Sequence, residues 1–143
     1  MLLMNPLPTK TQLLHACRGI DYADHPILHA AHALTGIHES HLAAEHPGIP
    51  ESKSHRARLI TEIDRHVARS LPPAPGSARI HTETIGAVVD RMAHFTAIAY
   101  AALAGSHPTT LGDVWEHLAE LAVGYEDLID ELHTGRRRLP GSP

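Results

Sequence analysis

The chain reads as an all-α protein, an antiparallel four-helix bundle with a short additional N-terminal helix. Three observations predict this. Apolar residues recur at three- and four-residue steps through four long segments, and no alternating strand pattern competes with them. The breaks between segments fall on Pro, Gly and Ser clusters, which end helices. Hydrophobic residues make up 43% of the chain but aromatics only 3%, so its core must come from Leu, Ile, Val and Ala, side chains that suit closely packed helices. A length of 143 residues predicts one domain. The expected division is an extension over 1–8, a helical domain over 9–135 and a basic tail over 136–143.

The first helix is short, from Thr9 to Gly19, with Thr9 or Thr11 as cap and Gly19 as stop. Asp24 is placed to cap the second helix, with Pro26 in its first turn. That helix runs from about His25 to Glu45, with Leu28, Ala31, Leu34, His38 and Leu42 along one side. Gly36 interrupts it and suggests a close helix contact, and His46 to Pro50 form a stop and turn. The third helix begins near Ser52 or Ser54 and ends near Leu71, carrying Leu59, Ile60, Ile63 and Val67 as its stripe. Pro72 to Ser77 then forbid helix.

The fourth helix, from about Thr84 to Gly105, is apolar or small on both sides. Ile85, Val88, Val89, Met92, Phe95, Thr96, Ala99 and Leu103 form one face, and Asp90, His94, Ala97, Ile98 and Ala101 the other. Such a helix is expected to touch neighbours on most of its circumference. Ser106 to Pro108 make a turn, and Thr109 or Thr110 opens the fifth helix, which runs to His133. Its stripe is Leu111, Val114, Trp115, Leu118, Leu121, Ala122, Tyr125, Leu128, Ile129 and Leu132. Gly135 is the expected residue just past its end, and Arg136 to Arg138 complement the helix C-terminus.

Charge and composition exclude several classes. A net charge of −4 gives no basic footprint for nucleic acid. Gly105 and Ser106 break the central apolar run short of a membrane span. The stretch MLLMNPLPTK lacks the charged and apolar regions of a signal peptide, so a cytoplasmic location is expected. A single Cys, Cys17, rules out an internal disulfide and a Cys-based zinc site. The 14 His are unusual: protonating all of them would carry the net charge from −4 to +10.

Two clusters carry candidate chemistry. Glu83, Asp90 and His94 are spaced to lie on one helix side, with Arg91 beside them. A carboxylate and imidazole set of that kind can hold a divalent metal or move a proton, with Glu39 contributed by the second helix. It can equally be structural, with Glu83 and Thr84 serving the helix start and Asp90–Arg91 pairing with Arg56 or Asp127. His25, His29 and His32 share a helix face and can approach one metal, although no paired Glu-x-x-His motif accompanies them. Carboxylates on the fifth helix read as a solvated face.

In chain order, several segments resemble the bacterial family called domain of unknown function 4254. Glu83-Thr84-x-Gly86 followed by Asp90-Arg91 resembles its ETPG…DRLS core. Arg56-Ala57-Arg58-Leu59-Ile60 through Asp64 resembles its RNDLIEKID-like segment, and Tyr125-Glu126-Asp127-Leu128 its QRxDL segment. The likeness spans roughly residues 34–135 and marks Glu39, Arg56, Asp64, Tyr125 and Asp127 as candidate binding positions. There are departures: Gly36 and Ser40 stand where the family carries Trp and Asp, Ile85 replaces the Pro of ETPG, and the Gln is missing. The resemblance implies a fold and carries no established activity. With no complete catalytic set, the expected role is a small soluble binding or assembly module, working through a protein partner or self-association and needing no cofactor. The alternative is a metal-assisted hydrolase or acid–base enzyme with its polar site inside the bundle.

Overall fold

The computed structural model describes residues 7–43, 50–105 and 108–141, with side chains left aside at 50, 51 and 108–111. The helices are α1 (Lys10–Cys17), α2 (Pro26–Ala43), α3 (Pro50–Ser70), α4 (Ile85–Gly105) and α5 (Pro108–His133). The expected turns at 46–49 and 106–107 lie outside the described residues, as does the side chain of Leu111.

Local chemistry sets the helix ends. Thr9 caps α1 through a complete capping box: its hydroxyl accepts the Gln12 N–H, and the Gln12 side chain accepts the Thr9 N–H. Gly19, at φ +83°, lets the chain leave α1. The cap of α2 is His25, not Asp24. Pro26 takes the first helical position, and His25 Nδ1 accepts the Ile27 N–H at 3.1 Å, a bond that the preceding Asp is one residue too early to make. Gly135, at φ +72°, closes α5, where the Arg136 N–H reaches back to the Glu131 carbonyl at 2.9 Å.

The helical class expected from the sequence is present, and the packing within it is centred on α4. This helix packs against α1, α2, α3 and α5, whereas among the described residues the α5 backbone makes no close approach to α2 or α3. The two-sided apolar character of α4 is the cause. Ile85, Val88, Val89, Met92, Ala93, Ala97 and Ala99 are all buried, so one helix supplies core in several directions. One continuous core joins Ile85, Val88, Val89, Met92 and Ala93 to Leu13, Ile27, Leu34, Ile63, Val67 and Tyr125. Tyr125 is wholly buried, and its hydroxyl donates to the Pro8 carbonyl at 2.7 Å, tying the N-terminal segment to α5.

Several expectations fail at the rims. Leu42 and Leu103 continue their stripes in sequence but are exposed, each in the last turn of its helix. Gly36 marks no close contact: a Cβ built there meets nothing within 4 Å. The basic segment after α5 is partly ordered into structure. Arg137–Arg138 pairs in parallel with Arg79–Ile80, a two-residue ladder of β1 and β2 too short to leave a period-2 signal. Arg138 Nε also donates to the Ala78 carbonyl at 3.1 Å.

Candidate functional site

The polar centre of the molecule lies where α2, α3 and α4 meet. Asp90 sits among the buried residues of α4, its side chain only 7% exposed. An unpaired carboxylate there would cost several kcal/mol, on the order of the effective burial penalty of an ion, so donors must come to it. His38 supplies one from α2, its Nε2–H donating to Asp90 Oδ1 at 2.8 Å. Arg56 supplies a fork from α3, with Nε to Oδ1 at 3.0 Å and a terminal N–H to Oδ2 at 2.7 Å. Burial favours the neutral acid, but the His38 and Arg56 hydrogen bonds and charges overcome it and hold the Asp90 carboxyl down at about 2.

His94, one turn along α4, extends the cluster. Its Nδ1 lies 3.3 Å from His38 Nδ1, with the two rings edge to face at 4.8 Å. His38 donates from Nε2 to the carboxylate, and the roles in the Nδ1–Nδ1 contact follow from the tautomers of the two rings. Burial, helped by the nearby His38, pushes the His94 imidazole below its ordinary pKa. Chemically, the chain Asp90–His38–His94 can orient an imidazole and pass a proton along it. Both Asp90 oxygens are already occupied, so the carboxylate positions its neighbours.

A second contact joins α3 to the start of α4. Asp64 Oδ1 accepts the Gly86 N–H at 2.8 Å, and the Thr84 hydroxyl also bonds to Asp64 while capping α4 through the Ala87 N–H at 3.1 Å. Burial outweighs these bonds and raises the Asp64 carboxyl above its ordinary value. Gly86 is required by the approach itself. A Cβ would lie 2.6 Å from the Ile60 carbonyl oxygen and 2.7 Å from Asp64 Oδ1.

The sequence-derived candidates therefore separate. Asp90, Arg56 and His94 come together, and Asp64 forms the adjoining joint. Glu83 and Arg91 make their own pair at 2.6 Å on a more exposed surface. Glu39 is exposed and lines a different cavity, with Cys17, Arg18 and Thr35. Tyr125 is committed to the core, and Asp127 is exposed on α5. His25 faces His66 of α3 at 5.2 Å, whereas His32 stacks on Tyr22 at 3.9 Å and His29 is exposed. Among the described residues, no three His, Cys, Asp or Glu side chains are grouped so that they could hold a metal ion. His38 is the residue that site reasoning passed over. It lies in the apolar stripe that the sequence assigns to α2, and a titratable ring in such a stripe, opposite an Asp in another, is the available signal.

Two pairs of motif fragments thus explain each other across helices: Arg56 with Asp90, and Asp64 with Thr84–Gly86. Among the described residues, no helix is long and apolar enough to cross a membrane. Comparison with curated proteins and with solved structures gives no match. The family model described as Protein of unknown function (DUF4254) matches residues 20–140, a span that takes in both pairs, and the chain belongs to that family.

Proposed function

We propose that the chain is a small helical binding module whose buried polar centre holds three helices in register. The observation that carries this reading is the full occupation of Asp90: both oxygens accept donors from His38 and Arg56 of the same chain. A carboxylate spent in this way joins elements. Glu83, the other carboxylate of the motif, is likewise spent on Arg91. Partner capture or self-association would then use surfaces away from this joint.

The test is binding without conversion. Ligand-observed NMR on the intact chain, with a panel of small anionic and neutral fragments, is expected to find saturable binders that are recovered chemically unchanged. Conversion of any fragment, abolished by His94→Gln, would replace this reading with the catalytic one.

A second reading has one observation in its favour, the 3.3 Å contact between His38 and His94. It makes His94 Nε2 the terminus of a proton path backed by an ionised carboxylate, a suitable base for an acid–base reaction. In that reading His94→Gln removes activity at every pH with little effect on stability.

A further inference from the structure

We propose that the cavity between α1, α4 and α5 binds a small organic monoanion, a carboxylate on an apolar body, through Arg18. This rests on the binding-module reading and names its ligand class. The cavity measures about 320 Å³ and is walled by Leu14, Tyr100, Trp115 and Leu118, with Arg18 and His15 exposed on α1 and its C-cap. A volume of this order, mostly apolar with a few polar groups, is the usual shape of a small-molecule site. A second space of about 300 Å³, reaching Cys17, His32, Thr35 and Glu39, shares Arg18, Thr96 and Tyr100 as walls.

Arg18 belongs to both spaces. Its guanidinium lies 5.0 Å from the centre of the Tyr100 ring, and among the described residues no carboxylate pairs with it. That approach keeps the guanidinium beside the ring face, with N–H groups left to grip a planar carboxylate. Tyr100 and Trp115 meet edge to face at 5.4 Å, and Trp115 remains 36% exposed, so an aromatic wall stands uncovered beside an unspent cation. Glu39 in the adjoining space works against a dianion, and one Arg is too little charge for a phosphate-rich ligand.

Trp115 is the only Trp in the chain, so its emission reports on this wall alone. The intact protein is titrated with 4-phenylbutyrate and, as a neutral match, 4-phenylbutanol. Expected are saturable emission changes with the acid about tenfold tighter, the scale of one charge-assisted hydrogen bond. Arg18→Gln should abolish that preference and leave the alcohol within about threefold, a shift well under the tenfold of a single such bond. Ala119→Phe, which places a ring in the cavity from an exposed position of α5, should weaken both by about tenfold or more, with helical circular dichroism unchanged. Several results overturn the proposal: an acid Kd weaker than about 10 mM, equal affinity for acid and alcohol, or acid binding unmoved by Arg18→Gln. Emission that changes with protein concentration alone also overturns it, in favour of a second copy on this face. Recovery of a chemically altered phenylbutyrate overturns the module reading as well, so the two failures are distinguishable.

Discussion

Gly86→Ala tests the joint between α3 and α4 with a single methyl group. The added carbon would stand 2.6 Å from the Ile60 carbonyl oxygen, 2.7 Å from Asp64 Oδ1 and 3.0 Å from Ile60 Cγ2. Two of these atoms belong to Ile60, and the closest is backbone, so the helices must separate. Overpacking of this kind costs about 1–3 kcal/mol. Separation also stretches the 2.8 Å bond from the Gly86 N–H to Asp64, and a hydrogen bond to a charged group contributes about 1.5–3 kcal/mol. Against these, Ala improves the helix by about 1 kcal/mol over Gly. The expected net loss is about 2–3 kcal/mol, taking the overpacking and the partial loss of the bond together against that gain. Urea unfolding followed by helical circular dichroism measures it as a lower midpoint at constant slope. Gly36→Ala and Gly124→Ala are the internal controls, since a Cβ at either position meets nothing within 4 Å. Each should gain up to about 1 kcal/mol. A neutral or stabilising Gly86→Ala would refute the close approach.

Other consequences follow from the same contacts. Tyr125→Phe should cost about 1–3 kcal/mol, since it leaves the buried Pro8 carbonyl without its 2.7 Å donor; urea unfolding reads the loss, and hydrogen exchange should show faster opening of α1. Burial, then neighbouring positive charge, depresses the imidazoles of His66 and His94. The unfolded chain therefore takes up their protons first, and stability should be full above about pH 6.5 and fall as pH drops through and below it. Melting temperatures that stay level from pH 7.5 to 5 would contradict this, and His94→Gln should flatten the slope.

The helices were legible because their signals are local and redundant. Thr9, Pro26, Gly135 and the Pro72–Ser77 break each act within a few residues, and the small, apolar faces of α4 announce its many neighbours. What escaped was set by contacts distant in sequence. Leu42 and Leu103 continue perfect stripes, yet burial depends on whether a neighbour reaches that turn. The β1–β2 ladder joins segments nearly sixty residues apart over two residues each. In the site, the sequence singles out Arg56, Asp90 and His94 and offers Arg56 as one partner of Asp90. Their join to His38 was not visible, because a His in an apolar stripe looks like core until the opposing Asp is placed against it. Glu83 and Asp90 share a motif but not a location, since Glu83 precedes the first turn of α4 and turns to Arg91. Family resemblance marked Tyr125 as a binding position, whereas its ring fills the core and its hydroxyl serves the chain's own backbone.

The most direct test of the account is the unfolding free energy of the wild type, Asp90→Asn and His94→Gln as a function of pH. Asn keeps one acceptor but turns an N–H₂ toward the donors of His38 or Arg56. With Arg56 43% exposed, solvent relieves part of the usual penalty for breaking a buried pair, leaving about 2–3 kcal/mol. The displacement of Asp90 from its ordinary 3.8 to about 2 converts to a figure of the same order, about 2–3 kcal/mol. A depressed carboxyl contributes fully above its unfolded pKa and is lost as pH falls through its folded one. The gap between wild type and Asp90→Asn should therefore be full at neutral pH and close between about pH 4 and 2. His94→Gln should stay within about 1 kcal/mol of wild type at neutral pH, since it removes only a neutral hydrogen bond at the edge. An Asp90→Asn protein as stable as wild type at neutral pH, or a gap that persists unchanged to pH 2, would contradict the claim that Asp90 is the joint of the three helices.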